Sequence, residues 1–85
     1  MPTSAQVSVA ATATVIVAET AFDQTVYLHN LGGGAIYLGG ANVTTANGYK
    51  FDNGDKLTVT VGDHEALYGI TASGTQTIAV LSHIN

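Results

Sequence analysis

Residues 35–81 read AIYLGGANVTTANGYKFDNGDKLTVTVGDHEALYGITASGTQTIAVL, and this stretch decides the fold class. Short runs of Val, Ile, Leu, Tyr and Thr alternate there with turns made of Gly, Asn, Asp and Ser, a pattern typical of β-strands joined by tight turns. The clearest strand is KLTVTV at 56–61, where aliphatic residues and threonines point to opposite faces. Because no helical period appears, the stretch predicts an antiparallel β protein.

The residues before this stretch continue the same pattern. Val and Ala alternate with Ser, Thr and Ile over residues 7–18, which predicts a strand with one buried face. Twelve residues are long for a single strand, so we expect a bend or a sheet crossing near residues 12–14. In the next strand, 25–30, Val26 and Leu28 occupy one face and Tyr27 and His29 the other. The glycine-rich loop 31–34 then predicts a β-hairpin between strand 25–30 and strand 35–38.

Further strands are predicted by the same signals, and together they define one domain. They cover residues 49–51, 56–61, 66–71 and 76–82, followed by a tail at 83–85. Seven or eight short strands with turns every 8 to 12 residues or so are typical of antiparallel sandwiches and barrels. We therefore expect an all-β fold, an antiparallel β-sandwich or flattened barrel over residues 7–85. Residues 1–6 are predicted to form an extended N-terminal arm.

Composition excludes several classes of protein. The chain has 85 residues, no cysteine, and only 9% charged residues, against about 25% in an average soluble domain. Six acids and two lysines, Lys50 and Lys56, leave a net charge of −4. Two lysines cannot neutralise several phosphates, so we expect no nucleic-acid partner and no anionic membrane partner. A small domain without disulfides often gains stability by oligomerising, which favours a homo-oligomer.

Targeting signals are equally sparse. No apolar run approaches the 18 residues of a membrane span, and the first ten residues, MPTSAQVSVA, lack the basic and apolar regions of a signal peptide. We expect a protein that is made and kept in a cytoplasm, or in a particle assembled there.

Three motifs invite a chemical interpretation, and each is explained better by turn chemistry. The glycine runs at 32–34 and 39–40 lack the lysine and helix of a phosphate loop. The Asp-Asn-Gly-Asp run at 52–55 supplies too few carboxylates for calcium, whereas Asp, Asn and Gly all favour tight turns. Asp63-His64-Glu65 is predicted to be an exposed turn, since neighbouring residues point in different directions.

No catalytic, cofactor-binding or metal-binding residues are therefore predicted. His29, His64 and His83 are widely spaced along the chain, so the sequence alone defines no histidine metal site. No serine lies in a strained nucleophile elbow, and we expect neither an enzyme nor a cofactor.

The tyrosines are the candidate interaction residues. Tyr27, Tyr37, Tyr49 and Tyr68 each lie in or beside a predicted strand. Tyrosine suits both a half-buried sheet surface and a protein interface, because its ring is apolar and its hydroxyl stays hydrated. Two interpretations remain open: packing within the sheet, or anchoring of a subunit or capsid contact by one or two of these rings.

Several motifs also resemble those of a known class of protein. These motifs are Tyr37-Leu38-Gly39-Gly40, Val43-Thr44, Ala46-Asn47-Gly48-Tyr49, Gly54-Asp55, Leu67-Tyr68-Gly69-Ile70 and Ala72-Ser73-Gly74-Thr75. In this order they resemble small β-rich virion proteins and accessory modules of tailed bacteriophages, with the resemblance extending over residues 7–81.

The resemblance implies a non-enzymatic virion component, most specifically a head-decoration or minor capsid protein. Its partners would be the major capsid protein and further copies of itself, with a trimer expected. Its location would be the outer surface of the capsid, assembled in the host cytoplasm. The alternative is a tail or fibre module that recognises a host-surface glycan or protein, for which Tyr49 with Asn47 and Asp52 could form a sugar platform.

Overall fold

The computed structural model describes residues 2–84, with backbone only for residue 2. Within these residues the chain forms eight strands and no helix. The strands are β1 (Pro2–Val9), β2 (Thr14–Val17), β3 (Gln24–Asn30), β4 (Ile36–Gly39), β5 (Tyr49–Phe51), β6 (Lys56–Val61), β7 (Leu67–Ile70) and β8 (Gln76–Ile84). None of the described residues forms a helix long and apolar enough to cross a membrane.

The strands form two four-stranded sheets. Sheet A has the order β1-β8-β3-β6 and sheet B the order β2-β7-β4-β5, and every neighbouring pair is antiparallel. The chain passes from one sheet to the other at every connection except β4–β5. This arrangement is the eight-stranded jelly roll, a fold found in viral capsid and lectin domains among others.

The core lies between the two sheets and follows from the two-residue period of the strands. In β3 the burial alternates, with Val26 and Leu28 buried and Tyr27 exposed. Aliphatic residues from six of the strands, together with Phe51 of β5, complete the buried cluster. Its members are Val9, Ile16, Val17, Val26, Leu28, Ile36, Leu38, Phe51, Val61, Ile78 and Val80.

The predicted all-β antiparallel sandwich is confirmed, and so is its strand number. The expected crossing near residues 12–14 also exists: residues 10–13 carry the chain from β1 in sheet A to β2 in sheet B. The predicted faces of β3 and β6 are those of the structure.

Two predictions about the ends of the chain need correction. Residues 2–6 are extended but not a free arm, because they belong to β1 and pair with β8 from Pro2 opposite His83 to Val9 opposite Gln76. This pairing is available because β8 continues to Ile84, beyond its predicted end at residue 82. Met1 of the predicted arm and Asn85 of the predicted tail lie outside the described residues.

The hairpin predicted between strands 25–30 and 35–38 is wrong. The main chain of β3 is already paired on both sides, with β6 and with β8, so no edge of β3 is left for β4. The glycine-rich connection instead crosses to sheet B, where β4 pairs with β5 and β7.

Candidate functional site

The outer face of sheet A is an open, weakly charged surface. Its central row contains Ser4, Leu81, Tyr27 and Thr58, one residue from each strand. The next row contains Gln6, Ala79, His29 and Lys56. Together these rows line a shallow concavity of about 800 Å³.

An aromatic and aliphatic patch lies at the centre of this face. The ring of Tyr27 stacks on that of His83 with a centroid separation of 6.2 Å and an interplanar angle of 26°. Tyr27 and the neighbouring Leu81 are 45% and 44% exposed. Aromatic side chains in a face poor in charge are typical of the central part of protein interfaces.

The sandwich is open on the side of its edge strands β5 and β6. There an apolar cleft of about 400 Å³ is lined by Leu38, Gly39, Tyr49, Leu57, Val59 and Leu67. We call it the β5–β6 cleft. Tyr49 is 62% exposed at this cleft, and Leu57 and Val59 are only half-buried. The space between the sheets is therefore not closed on this side by residues 2–84.

The acidic residues are segregated from the strands. None of the eight strands contains Asp or Glu, and all six acids lie in connecting loops. The β2–β3 and β6–β7 loops hold four of them, Glu19, Asp23, Asp63 and Glu65. These two loops are hydrogen-bonded to each other, because the His64 N–H donates to the Thr20 carbonyl at 2.7 Å.

The remaining charges balance one another. Asp52 and Asp55 follow β5 in the chain and are offset by Lys50 and Lys56. The four acids of the β2–β3 and β6–β7 loops contribute −4, and the two acids and two lysines around the β5–β6 loop contribute 0, which together give the net charge of −4. The sheet faces and edges can therefore approach another protein without carboxylate repulsion.

The four tyrosines do not form one surface. Tyr27 is on the outer face of sheet A and Tyr49 at the β5–β6 cleft, whereas Tyr37 and Tyr68 are half-buried in sheet B. Tyr37 is partly covered because the β4–β5 loop folds back over this sheet and buries Val43 to 4% exposure. Tyr27 and Tyr49 are the two that are available for contact.

The loop motifs behave as turns. Gly54 has a φ of 83°. The Asp55 N–H donates to the Asp52 carbonyl at 3.0 Å, and the Asp55 carboxylate accepts from the Asp52 N–H at 3.0 Å. The carboxylate of Glu65 accepts from the Gly62 N–H. In residues 2–84 no group of three or more His, Cys, Asp or Glu side chains is arranged to hold a metal ion.

The side-chain amide of Asn47, part of the predicted sugar platform, is hydrogen-bonded within its own loop. The Asn47 side chain accepts from the Thr44 N–H at 2.7 Å and donates to the Asn42 carbonyl at 3.3 Å. Asp52 lies 3.7 Å from the Lys50 ammonium. Of the three residues, Tyr49 alone presents an uncommitted apolar face.

Several residues of these surfaces were not singled out from the sequence. Leu81 and His83 complete the patch around Tyr27, and the alternation of β8 signals them once its true length is known. The β5–β6 cleft combines residues from four strands of both sheets, so no local pattern could have predicted it.

Comparisons with known proteins bear on the fold. No protein-family model matches the chain, and no curated protein matches it significantly. Among solved structures, it is similar to a protein of the Bacillus endospore appendages, described as a novel family of disulfide-linked pili. The TM-score is 0.65 at 16% identity, over 99% of this chain and 85% of that one. This similarity supports the β-sandwich fold, while none of the 85 residues here is a cysteine that could form such a disulfide.

Proposed function

We propose that the protein is a non-enzymatic structural subunit that assembles with copies of itself and with other structural proteins. The observation that carries this proposal is the segregation of charge: acid-free strands present sheet faces and edges to solvent, while all six carboxylates lie in loops. A surface of this kind favours protein contact over repulsion between copies.

Two further features support self-association. The β5–β6 cleft leaves Tyr49 and the half-buried Leu57 and Val59 to be covered by a neighbour. The similar Bacillus appendage protein belongs to pili, and the same fold in this chain is compatible with assembly into a polymer.

The more specific role that we propose is that of an accessory protein on the outer surface of a tailed-bacteriophage capsid. The motifs between Tyr37 and Thr75 resemble those of small virion proteins, and jelly rolls occur in viral capsid domains. The outer face of sheet A, with Tyr27, Leu81 and His83, would contact the major capsid protein. A trimeric state remains a prediction.

Binding of this kind would stabilise the shell by mass action. A protein that binds only the assembled shell contributes RT ln(1 + [L]/Kd) per site, about 2.7 kcal/mol at a hundredfold excess over Kd. The experiment is co-sedimentation of the purified protein with expanded heads, with unexpanded proheads as the matched control. Saturable binding to expanded heads alone, with a raised disruption temperature, is the expected result.

The second candidate is a subunit of a filament or appendage that needs no shell, which the pilus similarity favours. Electron microscopy of the concentrated protein alone separates the two: filaments without heads support the second candidate. A protein that stays monomeric and binds no heads contradicts both. A glycan array tests the remaining alternative, a host-recognition module, for which we expect no binding.

A further inference from the structure

The four edge strands of the sandwich differ in how they are protected. In sheet B, β2 has four residues and a register shift between Val15 and Val17, and β5 has three residues including Lys50. In sheet A, β1 has eight residues and β6 has six, and both are regular along their pairing. Short length, bulges and lysine are the devices that keep sheet edges from pairing with other chains. Sheet B uses them at both edges, whereas sheet A has only Pro2, also a protective residue, at the start of β1 and Lys56 at the start of β6.

The β1 edge carries no charged residue, and Pro2 occupies its first position. Among the described residues β1 pairs only with β8, so the N–H and C=O groups directed away from β8 have no strand partner there. The β6 edge has one charge, Lys56, followed by the uncharged run LTVTV. Its only strand partner in the described chain is β3, and the β5–β6 cleft lies beneath it.

Strand direction makes these two edges complementary. Directions alternate across β1, β8, β3 and β6, because each neighbouring pair is antiparallel. With four alternating strands, β1 of a copy displaced sideways runs antiparallel to β6 of the first copy without any rotation. Antiparallel pairing is slightly more stable per residue than parallel pairing.

The side-chain rows also continue from one copy to the next. The row Ser4, Leu81, Tyr27 and Thr58 would be extended by Ser4 of the following copy, beside Thr58. In the same register Ala5 of the following copy lies beside Leu57, and Thr3 beside Val59. Polar residues therefore meet polar residues on the outer face, and residues next to the cleft meet small residues.

We propose that β1 of one copy pairs antiparallel with β6 of the next, so that sheet A runs continuously through a head-to-tail polymer. The occupant of each edge is a second copy of this chain. The two edge strands run antiparallel in neighbouring copies, their side-chain rows continue from one copy to the next, and neither strand contains an acid. Such a contact is heterologous, which allows open polymers as well as closed rings. This inference deepens the proposed function and rests on it.

The test uses engineered cysteines, since the chain has none of its own. Cross-strand neighbours have Cβ atoms about 4.5–5.5 Å apart, close enough for a disulfide after a small adjustment. We expect Ser4→Cys mixed with Thr58→Cys to form a cross-linked dimer on mild oxidation. The double variant should give a ladder of multimers, while Ser4→Cys mixed with Ala72→Cys, in an exposed turn, should stay at background.

A charge pair provides a second readout that does not depend on oxidation. The double variant Ser4→Lys/Thr58→Lys places two ammonium groups side by side at the contact, and its critical concentration should rise about two- to fivefold. Ser4→Lys/Thr58→Glu is the matched control and should restore wild-type association. Circular dichroism checks that both variants remain folded.

The outcomes separate the interface from the proposed function. Cross-linking of Ser4→Cys with itself would mean a two-fold β1–β1 contact and would overturn the inference. Polymers of the wild-type protein without the Ser4–Thr58 cross-link, and without sensitivity to the lysine pair, would also overturn it and leave the proposed function standing. A wild-type protein that is monomeric at every concentration and binds no heads overturns both.

Discussion

The side chain of Asn30, at the end of β3, donates a hydrogen bond to the carbonyl of Phe51, 2.8 Å away and 21 positions later in the chain. The same amide donates to the Gly34 carbonyl at 3.0 Å and accepts from the Gly32 N–H at 2.9 Å. Asn30 is 1% exposed, so these bonds replace water for three backbone groups. One buried side chain thereby joins sheet A to the last residue of β5 in sheet B.

Replacement of Asn30 by Ala is expected to lower the free energy of unfolding by about 2–4 kcal/mol. Three polar backbone groups lose their partner, and each such loss in a buried site costs about 1–3 kcal/mol when water does not replace it. Urea denaturation followed by circular dichroism measures the change. Asn53→Ala, at an exposed turn position, is the matched control and should change stability by less than about 0.5 kcal/mol. Equal effects of the two substitutions would contradict the structural role of Asn30.

Gly48 is needed for close packing of the β4–β5 loop. A Cβ at this position would lie 2.6 Å from the Tyr37 Cβ and 2.9 Å from the Thr44 carbonyl oxygen, and neither neighbour is a flexible chain end. We expect Gly48→Ala to destabilise the fold by about 1–3 kcal/mol. Gly33→Ala, with no atom within 4 Å of its Cβ, should be neutral or slightly stabilising. Thermal unfolding of the two variants side by side makes the comparison, and a neutral Gly48→Ala would show the loop to be free to move.

His64 has a φ of 60° in the β6–β7 turn, a conformation that costs an L-residue roughly 1–2 kcal/mol. Glycine relieves this cost, whereas a β-branched residue raises it. His64→Gly is therefore expected to be more stable than His64→Val by about 1–2 kcal/mol. The N–H bond to Thr20 is retained by both variants, so the difference isolates the backbone. Equal unfolding midpoints would argue against the left-handed turn.

Tyr27 and Tyr49 should affect different contacts. Tyr27→Ser alters the outer face of sheet A and is expected to weaken binding to expanded heads at least tenfold, a hot-spot effect, with self-association unchanged. Tyr49→Ser alters the β5–β6 cleft and is expected to weaken self-association first. Sedimentation velocity and head binding, measured on both variants, give the two readouts. If the variants prove interchangeable, the separation of the two surfaces is wrong.

Much of the fold follows from local patterns, and the exceptions have a common physical cause. The alternation in KLTVTV and in QTVYLHN predicts which side chains are buried, because the two-residue period is a property of each strand alone. The Asp-Asn-Gly run predicts the positive φ of Gly54. Sheet membership depends on partners far along the chain, so the hairpin expected across residues 31–34 was wrong, and Pro2–Val9 was divided between an arm and a strand.

The candidate surfaces were predictable to a smaller extent. Tyr27 follows from the alternation of its strand, since exposure on an outer face is a local property. The β5–β6 cleft joins Leu38 and Leu67 of sheet B to Leu57 and Val59 of sheet A. These residues come together only when the two sheets pack, and no local sequence pattern predicts that packing.

The confinement of the acids to loops has an electrical consequence for any polymer that continues sheet A. Each copy adds four strands, about 19 Å at ~4.8 Å per strand, and four carboxylates from Glu19, Asp23, Asp63 and Glu65 on its β2–β3 and β6–β7 loops. The ribbon therefore bears a line of negative charge along one border, about one charge per 5 Å, spaced more closely than the Debye length of about 8 Å at physiological ionic strength. Counterions will gather along that border, and polymer length will increase with salt until screening is complete.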